Sequence, residues 1–341
     1  MLFFESIDSL LTNHYSHDNL PAHIDLCSGN GLVPAHFILN GKTQAFWAVD
    51  FYPHFATDLK LYINDTKHVS CAISDTDRTH FNQNGHFIIF DVLHTQPRSF
   101  PRLDTSKKTD IIVSANPPWE PMPSFIVKSL FNRSVHKYLK DAPVRSTRTV
   151  AMTAKDPSLK KFASFCSQNN LDITIIPQIC GGIDGLIFYP HVFNFAAHLN
   201  AQYLSINIST LSDSEKFITL LRSYPYKIEK INFVETLAYG YDSTKLARGH
   251  FHSVVQNNVL RYDDKGDLRY LLCNITLQYN DRHTSSNTNG ELYRELLEAY
   301  KIAAEKNTLN PINKLIEKKS AQYSRWFLSR SDIKRMRASN R

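Results

Sequence analysis

Cysteine is scarce in this chain of 341 residues, and long apolar runs are absent. The five cysteines are odd in number and form no Cys-x-x-Cys pair, which argues against a disulfide framework and a zinc site. No stretch of about 18 apolar residues occurs, as a membrane span would need. The first residues also lack the charged and then apolar segments of a signal peptide. We therefore expect a cytoplasmic protein with reduced thiols and no membrane partner.

Apolar residues, in contrast, are plentiful. They make up 42% of the chain, which is enough for a substantial core, and the length allows one large domain or two smaller ones. The net charge of +7 favours an anionic partner without identifying an activity. His250 and His252 alternate on one face of a predicted strand, but no third ligand accompanies them. We therefore predict no metal.

A glycine-containing turn follows the first apolar run. Residues 23–34 are predicted to form a short strand, a turn with Gly29 and Gly31, and the start of a helix. Glycine can take positive φ and lets the backbone approach a ligand, and the helix start offers free N–H groups. Dinucleotide-binding turns contain Gly-x-Gly-x-x-Gly, but Pro34 occupies the third glycine position here. The turn alone therefore leaves the ligand open.

Two further apolar runs each end in an acid. Residues 45–50 end in Asp50, about 20 residues after the glycines, where a carboxylate suits a ribose diol because it accepts two O–H donors. A helix N-cap is the alternative interpretation of Asp50. Residues 86–91 end in Asp91 in the same way, and Asp75 is a weaker candidate for that position.

The run at residues 110–116 is the most strongly marked. Its β-branched residues predict a buried strand, which must end at Asn116 because Pro117 and Pro118 cannot continue a sheet ladder. The turn that results presents an amide oxygen, the Pro117 carbonyl and the Trp119 ring, a combination suited to a planar amine. An ordinary proline loop after a buried strand is the alternative.

Strands and helices alternate along the first 200 residues, which predicts a mostly parallel α/β sheet. Ligands bind at the carboxyl ends of such strands, where Asp25, Asp50, Asp91 and Asn116 are all expected. Further strands are predicted at 147–154, 172–178 and 186–195, the last antiparallel after a hairpin turn at 181–185, and helices at 123–139 and 157–168. Later strands are predicted at 203–208, 228–234 and 268–277, with a helix at 212–222 and a helical pattern from 291 to the end, which together predict an α+β extension with a helical basic tail.

Two of these segments resemble those of amino-group methyltransferases that use S-adenosylmethionine. Residues 116–119, Asn-Pro-Pro-Trp, resemble the (Asn/Asp/Ser)-Pro-Pro-(Tyr/Phe/Trp) motif of that family. Residues 25–31 resemble its acid-x-Gly-x-Gly-x-Gly turn, with Cys27 in place of the first glycine. The resemblance ends near residue 200, and it implies a Rossmann-like seven-stranded sheet with S-adenosyl-L-methionine as the cofactor.

The resemblance also implies roles for the matching residues. Asn116 and the Pro117 carbonyl would accept the N–H groups of a substrate amine, and Trp119 would stack on its plane. Asp50 would hold the cofactor ribose and Asp91 its adenine amino group. The residues implied to surround the cofactor are Asp25, Cys27, Gly29, Gly31, Asp50 and Asp91.

The reaction implied by the resemblance is methylation of a nitrogen, with adenine N6 in DNA or RNA as the preferred interpretation. A base in duplex DNA would have to be flipped out to reach the site. A protein glutamine or a small-molecule amine is the alternative substrate, because the same four residues also serve a carboxamide. Cys27 in the glycine turn leaves open a non-catalytic binding module. The sequence predicts no oligomeric state.

The chain is predicted to divide into a catalytic domain at 1–200 and an accessory substrate-recognition region at 201–341. Residues 301–341 contain eleven Lys or Arg and only three acids. Aromatic residues lie among these cations, as in surfaces that track phosphates and stack on bases. The predicted nucleic-acid contacts in this basic tail are Arg325, Trp326, Lys334 and Arg335. A solvated helix that docks on the catalytic domain is the alternative.

Overall fold

The computed structural model describes residues 2–51, 79, 83–100, 109–132, 135, 138, 147–168, 173, 176–237, 259–263, 265–266, 268–280 and 290–326. Within this part the chain forms an α/β fold around one nine-stranded sheet. The strands are β1 (Ala22–Leu26), β2 (Ala45–Asp50), β3 (Gly85–Ile89), β4 (Ile111–Ala115), β5 (Tyr203–Ser209), β6 (Tyr226–Leu237), β7 (Arg261–Tyr262), β8 (Leu268–Tyr279) and β9 (Tyr323–Arg325).

Helices cover the sheet and fill the connections between its strands. They are α1 (Leu2–His14), α2 (Leu32–Leu39), α3 (Ser124–Leu130), α4 (Thr147–Thr153), α5 (Pro157–Gln168), α6 (Ile176–Ile179), α7 (Tyr189–His198), α8 (Ser214–Arg222), α9 (Glu291–Glu305) and α10 (Asn310–Lys318). None of these described helices is long and apolar enough to cross a membrane.

The strand order is β3-β2-β1-β4-β5-β8-β6-β9, with β7 paired to β8. The first five strands are parallel, and the apolar runs of β1, β2, β4 and β5 are largely buried, whereas the edge strand β3 is partly exposed. The chain builds outward from β1 through β2 to β3 and then returns to place β4 on the other side of β1. The carboxyl ends of β1 and β4 therefore form a topological switch point, where ligands bind in sheets of this kind.

The antiparallel strand of the sheet comes from later residues than the strand predicted at 186–195, and residues 323–325, predicted as part of a helical tail, form the strand β9 instead. β8 runs antiparallel between β5 and β6, and β9 then pairs with β6 in parallel. The sheet therefore continues across residue 200, where we predicted a boundary between two regions. The predicted strands at 203–208, 228–234 and 268–277 are confirmed as β5, β6 and β8.

Two of the predicted strands are wrong. Residues 147–154 and 186–195 contain the helices α4 and α7 instead. Pro190 could not continue a ladder but is tolerated in the first turn of α7. The buried residues of α7 also recur at helical spacing and not on alternate positions. In the segment 172–178 the described residues from Ile176 onward form the helix α6 and no strand.

The helices α3 to α6 form an insert between β4 and β5, which we call the helical insert (residues 122–180). Of the helices predicted there, 157–168 is confirmed as α5. The helix predicted at 123–139 corresponds to α3, which spans Ser124–Leu130. The insert has an apolar cluster of its own, which includes Ile126, Phe162 and Cys166 and is separate from the cluster that covers the sheet. It is therefore a distinct packing unit attached to the carboxyl edge of the sheet.

The glycines at 181–185 do not form the predicted hairpin turn but pack behind the Asn-Pro-Pro-Trp turn. The Gly181 N–H donates to the Glu120 carbonyl at 2.8 Å, and the Met122 N–H donates to the Gly182 carbonyl at 2.8 Å. A Cβ atom on Gly181 would lie 2.7 Å from the Cα atom of Trp119, so only glycine permits this approach. Both ends of the helical insert are thus fixed next to the proline turn.

Candidate active site

A cavity of about 270 Å³ lies at the switch point of the sheet. Five residues that the sequence placed at strand ends line it together: Cys27, Gly29, Asp50, Asp91 and Asn116. They follow β1, β2, β3 and β4, whose carboxyl ends meet at this edge. Parallel alignment of four short strands therefore assembles residues that are up to 89 positions apart, as between Cys27 and Asn116.

The glycine turn forms part of the cavity surface with its backbone. Gly29 and Gly31 have φ values of +57° and +69°, a region that favours glycine. The Gly29 N–H donates to Asp50 Oδ2 at 2.8 Å, which ties the turn to the end of β2. A Cβ atom on Gly29 would meet nothing within 4 Å. The turn therefore leaves space for a ligand directly above its backbone.

Cys27 takes the conformation of the glycine that it replaces. Its φ is +56°, in the left-handed region that costs an ordinary residue about 1–2 kcal/mol. Burial raises the pKa of its thiol well above the usual value, and the negative charges of Asp50, Asp25 and Asp91 raise it further. This shift favours the protonated thiol of Cys27, which lies in the cavity wall.

Asp25 lies beneath the cavity and does not line it. Its carboxyl is buried and accepts a hydrogen bond of 2.5 Å from Ser114 Oγ on β4. His23, also buried, contacts the same Ser114 oxygen through Nε2 at 2.7 Å. Burial raises the pKa of Asp25 to about 7, with the Asp50 charge adding to it and the Ser114 bond opposing it, and burial lowers the pKa of His23 to about 3. Asp25 thus links β1 to β4 next to the cavity through Ser114.

Asp91 lines the cavity and also organises its own turn. Its Oδ1 accepts the Leu93 N–H at 3.0 Å and the His94 N–H at 3.2 Å. Its Oδ2 lies 2.8 Å from His94 Nδ1, which is largely exposed. These contacts hold the Asp91 carboxylate in the turn that follows the carboxyl end of β3.

The proline turn contributes Asn116 and Pro118 to the cavity, whereas Pro117 is buried and does not line it. The ring of Trp119 also faces elsewhere, with its centroid 5.8 Å from that of Tyr270. Its carbonyl accepts a hydrogen bond of 2.9 Å from Ser212 Oγ. The stacking role expected for Trp119 is therefore not served from within this cavity.

Sequence reasoning missed several residues of the site. Phe131 and Gln178 reach the cavity from the helical insert, and Phe188 reaches it from the start of α7. Asn207 on β5 donates from Nδ2 to Asn116 Oδ1 at 2.9 Å. None carries a local signal, because an aromatic residue after a helix or a polar residue in a strand is common. Asn207, an asparagine between two isoleucines of a buried strand, is the one residue whose type could have drawn attention.

The predicted nucleic-acid residues Arg325 and Trp326 belong to the far edge of the sheet. Arg325 donates to Asn313 Oδ1 at 3.0 Å, and the Trp326 N–H donates to the Phe233 carbonyl at 2.8 Å. Four strand spacings separate β9 from β4, or about 19 Å. β9 runs parallel to β1 through β5, so its carboxyl end points in the same direction as theirs. The chain therefore leaves β9 on the side of the sheet where the carboxyl ends and the cavity lie. Lys334 and Arg335 lie outside the described residues.

No group of three metal-ligating side chains occurs in the described part of the chain. The two histidines considered as a metal pair, His250 and His252, lie outside it, as does Asp75.

No family model and no curated protein matches the chain. Solved structures with similarity include the hMettl16 catalytic domain in complex with the MAT2A 3′UTR hairpin 1, at 11% identity and a TM-score of 0.39, covering 82% of this chain and 70% of that one. Another is Streptococcus pneumoniae Sp1610, "a putative tRNA (m1A22) methyltransferase", in complex with S-adenosyl-L-methionine, at 7% identity and a TM-score of 0.34, covering 93% of this chain and 86% of that one. Similarity at this level does not establish a family for the chain.

Exchange of Cys27 tests the backbone strain in the turn. Cys27→Gly and Cys27→Ala both remove the thiol, but only glycine relieves the left-handed conformation. The cost of that conformation is about 1–2 kcal/mol, and the greater flexibility of unfolded glycine offsets part of it. We expect Cys27→Gly to be the more stable variant by about 1 kcal/mol in urea unfolding. Equal unfolding free energies would contradict the strain.

The buried pair Asp25 and His23 predicts opposite dependences of stability on pH. Because folding raises the pKa of Asp25 from 3.8 to about 7, its contribution is present below pH 4 and is lost as the pH rises towards 7. Folding lowers the pKa of His23 from 6.5 to about 3, so its contribution is present above pH 6.5 and is lost as the pH falls. The two slopes oppose each other between pH 4 and 6.5.

Asp25→Asn removes one slope and leaves the other. We expect the variant to gain stability relative to the parent as the pH rises from 4 to 7, by up to about 1.4 kcal/mol per pH unit. Urea unfolding at four pH values measures the difference, and Asp18→Asn, at an exposed position, serves as the control. A difference that stays constant with pH would show that Asp25 is ionised in the folded protein throughout.

Proposed function

We propose that the chain is an S-adenosylmethionine-dependent N-methyltransferase whose substrate is the N6 amine of adenine in DNA or RNA. The observation that carries the proposal is the single cavity shared by the glycine turn, the acids after β2 and β3, and the amide of Asn116. The first three suit a nucleoside with a charged tail, and the amide suits an amine. No other arrangement in the described chain combines both sets of groups.

The residues present fit the cofactor. The backbone at Gly29 leaves open space for a ligand, and Asp50 lies in the wall beside it. Phe131 and Phe188 add apolar surface on which a purine can pack. When bound, the cofactor supplies a methyl group on a sulfonium, which is transferred directly to the nitrogen. The protonated thiol of Cys27 is then a neutral neighbour of the positive charge.

The chain itself supplies orientation and charge stabilisation. The nitrogen of an adenine amine is a poor nucleophile because its lone pair is delocalised into the ring. A hydrogen bond from the amine N–H to Asn116 Oδ1, which lines the cavity, draws the nitrogen towards tetrahedral geometry, whereas the carbonyl of the buried Pro117 is not available from this cavity. The Asn116 oxygen also stabilises the positive charge that develops during transfer. Acceptors held in place before the reaction need no reorganisation at the transition state.

Charge supports a nucleic acid as the substrate. The helical insert contains nine Lys or Arg and three acids, and it adds the walls Phe131 and Gln178 to the cavity. Five exposed cations on its described helices and on the segment between α4 and α5 have no ion-pair partner among the described residues: Lys128, Arg148, Lys155, Lys160 and Lys161. Positive charge is therefore concentrated beside the cavity as well as in the predicted tail. Phosphates that flank a base in the cavity would meet the insert first.

Two substitutions separate the cofactor from the amine. We expect Asn116→Ala to lower turnover about 10²–10³-fold with unchanged cofactor affinity, because the oxygen acts on charge that exists only in the transition state. Asp50→Ala should instead weaken cofactor binding, since it removes the wall carboxylate and the Gly29 anchor. Calorimetry with S-adenosylmethionine and transfer of labelled methyl to DNA, RNA and protein fractions measure the two effects. If the parent protein does not bind the cofactor, it is a non-catalytic module. Label found only in protein would favour glutamine as the substrate.

Charge reversal tests the nucleic-acid surface. We expect Lys160→Glu with Lys161→Glu to weaken RNA or DNA binding and to reduce the salt dependence of the binding constant by about two ions. Lys227→Glu with Lys230→Glu is the matched control, because these residues begin β6 at the opposite edge of the sheet. Removal of residues 327–341 tests the tail in the same assay. Equal binding and equal salt dependence in the insert variant and the control would contradict the role of the insert.

A further inference from the structure

The Asn116 amide is the end of a chain of hydrogen bonds. Asn207 Nδ2 donates to Asn116 Oδ1 at 2.9 Å, and Asn274 Nδ2 donates to Asn207 Oδ1 at 3.1 Å. Asn274 Nδ2 also donates to Ser205 Oγ at 3.1 Å. Asn207 and Asn274 are buried and lie opposite each other in the pairing of β5 with β8. The chain therefore runs from the middle of the sheet to the cavity.

Buried asparagines can simply satisfy one another, and the sheet contains such a case. Asn232 on β6 lies opposite Asn274 and is equally buried, but it donates to Ser6 Oγ on α1 at 2.8 Å. Asn207 differs because its partner is exposed and lines the cavity. A buried donor that bonds an exposed amide restrains a group that would otherwise rotate in solvent. This restraint acts at the atom on which the proposed reaction depends.

We infer that Asn207 is a positioning residue that holds the oxygen of Asn116 towards the substrate amine, an inference that rests on the proposed function. A carbonyl oxygen has two lone pairs, so Oδ1 can accept from Asn207 and from the amine at once. Without the Asn207 donor, the Asn116 amide can rotate by half a turn. Its NH₂ group would then face the substrate amine, and two donors form no hydrogen bond. Asn274 completes the device, because its own donor turns the oxygen of Asn207 away from Asn116.

Substitution of Asn207 should act on turnover and not on the cofactor. We expect Asn207→Ala to lower kcat about 10²-fold with unchanged affinity for S-adenosylmethionine and little change in KM, because misplacement of a reacting group by about 1 Å has an effect of this size. Asn232→Ala is the matched control, since it empties a buried position of the same cross-strand row without contact to Asn116. Thermal unfolding of both variants is measured as well, and we expect similar losses of stability in the two.

The isosteric variant Asn207→Asp tests the direction of the bond. Its carboxylate accepts hydrogen bonds but cannot donate, so it would attract the NH₂ group of Asn116 and reverse the amide. We expect it to be as inactive as Asn207→Ala. Asn207→Ser keeps a shorter donor and should recover part of the turnover. Full activity of Asn207→Asp would overturn the inference. This test can be made even if Asn207→Ala does not fold.

A double substitution distinguishes positioning from a general structural effect. If Asn207 acts only through Asn116, Asn207→Ala should lower turnover no further in the Asn116→Ala background. A further loss equal to that of the single variant would overturn the inference. Failure of the proposed function gives a different pattern, because Asn116→Ala alone would then leave methyl transfer unchanged. A loss with Asn116→Ala but none with Asn207→Ala would refute the positioning role alone.

Discussion

The hydrogen bond from Ser114 to Asp25 joins the two strands between which the sheet divides. β1 and β4 are neighbours in space, but the chain leaves one towards β2 and reaches the other only after β3. Leu26 pairs with Ala115, so the glycine turn and the proline turn begin side by side. The buried bond between Ser114 and Asp25 stabilises this register of β1 with β4. The register places Cys27 and Asn116, the residues that follow Leu26 and Ala115, next to the same cavity.

Much of this edge could be predicted because each of its strands ends in a residue with a local meaning. Asp50 is the last residue of β2, and the prolines prevent β4 from continuing. The ends of these strands could therefore be located without knowing which strands pair with each other. Strand assignment failed beyond that point. The apolar run that contains Pro190 satisfied a strand pattern, although the proline and the helical spacing of Val192 and Phe193 favour a helix.

The remaining errors concern groups whose surroundings come from distant parts of the chain. The motif predicts that an aromatic ring follows the prolines, but it does not predict that Tyr270 on β8 will take the Trp119 ring as its neighbour. Phe131 and Asn207 are ordinary residues until the topology brings them to Asn116. Local patterns therefore locate the ends of strands, whereas the walls of the cavity depend on which strands become neighbours.

The position of α1 sets the order in which the protein can be completed. This helix precedes the sheet in the sequence, yet Ser6 accepts a hydrogen bond from Asn232 on β6, and His14 lies 2.8 Å from Glu229 on the same strand. Its apolar residues are covered partly by β5, which is made after residue 200. Until β5 is added, the edge of β4 is therefore unpaired and part of the apolar surface of α1 is uncovered. Such late closure makes folding slow and favours protection by chaperones during synthesis.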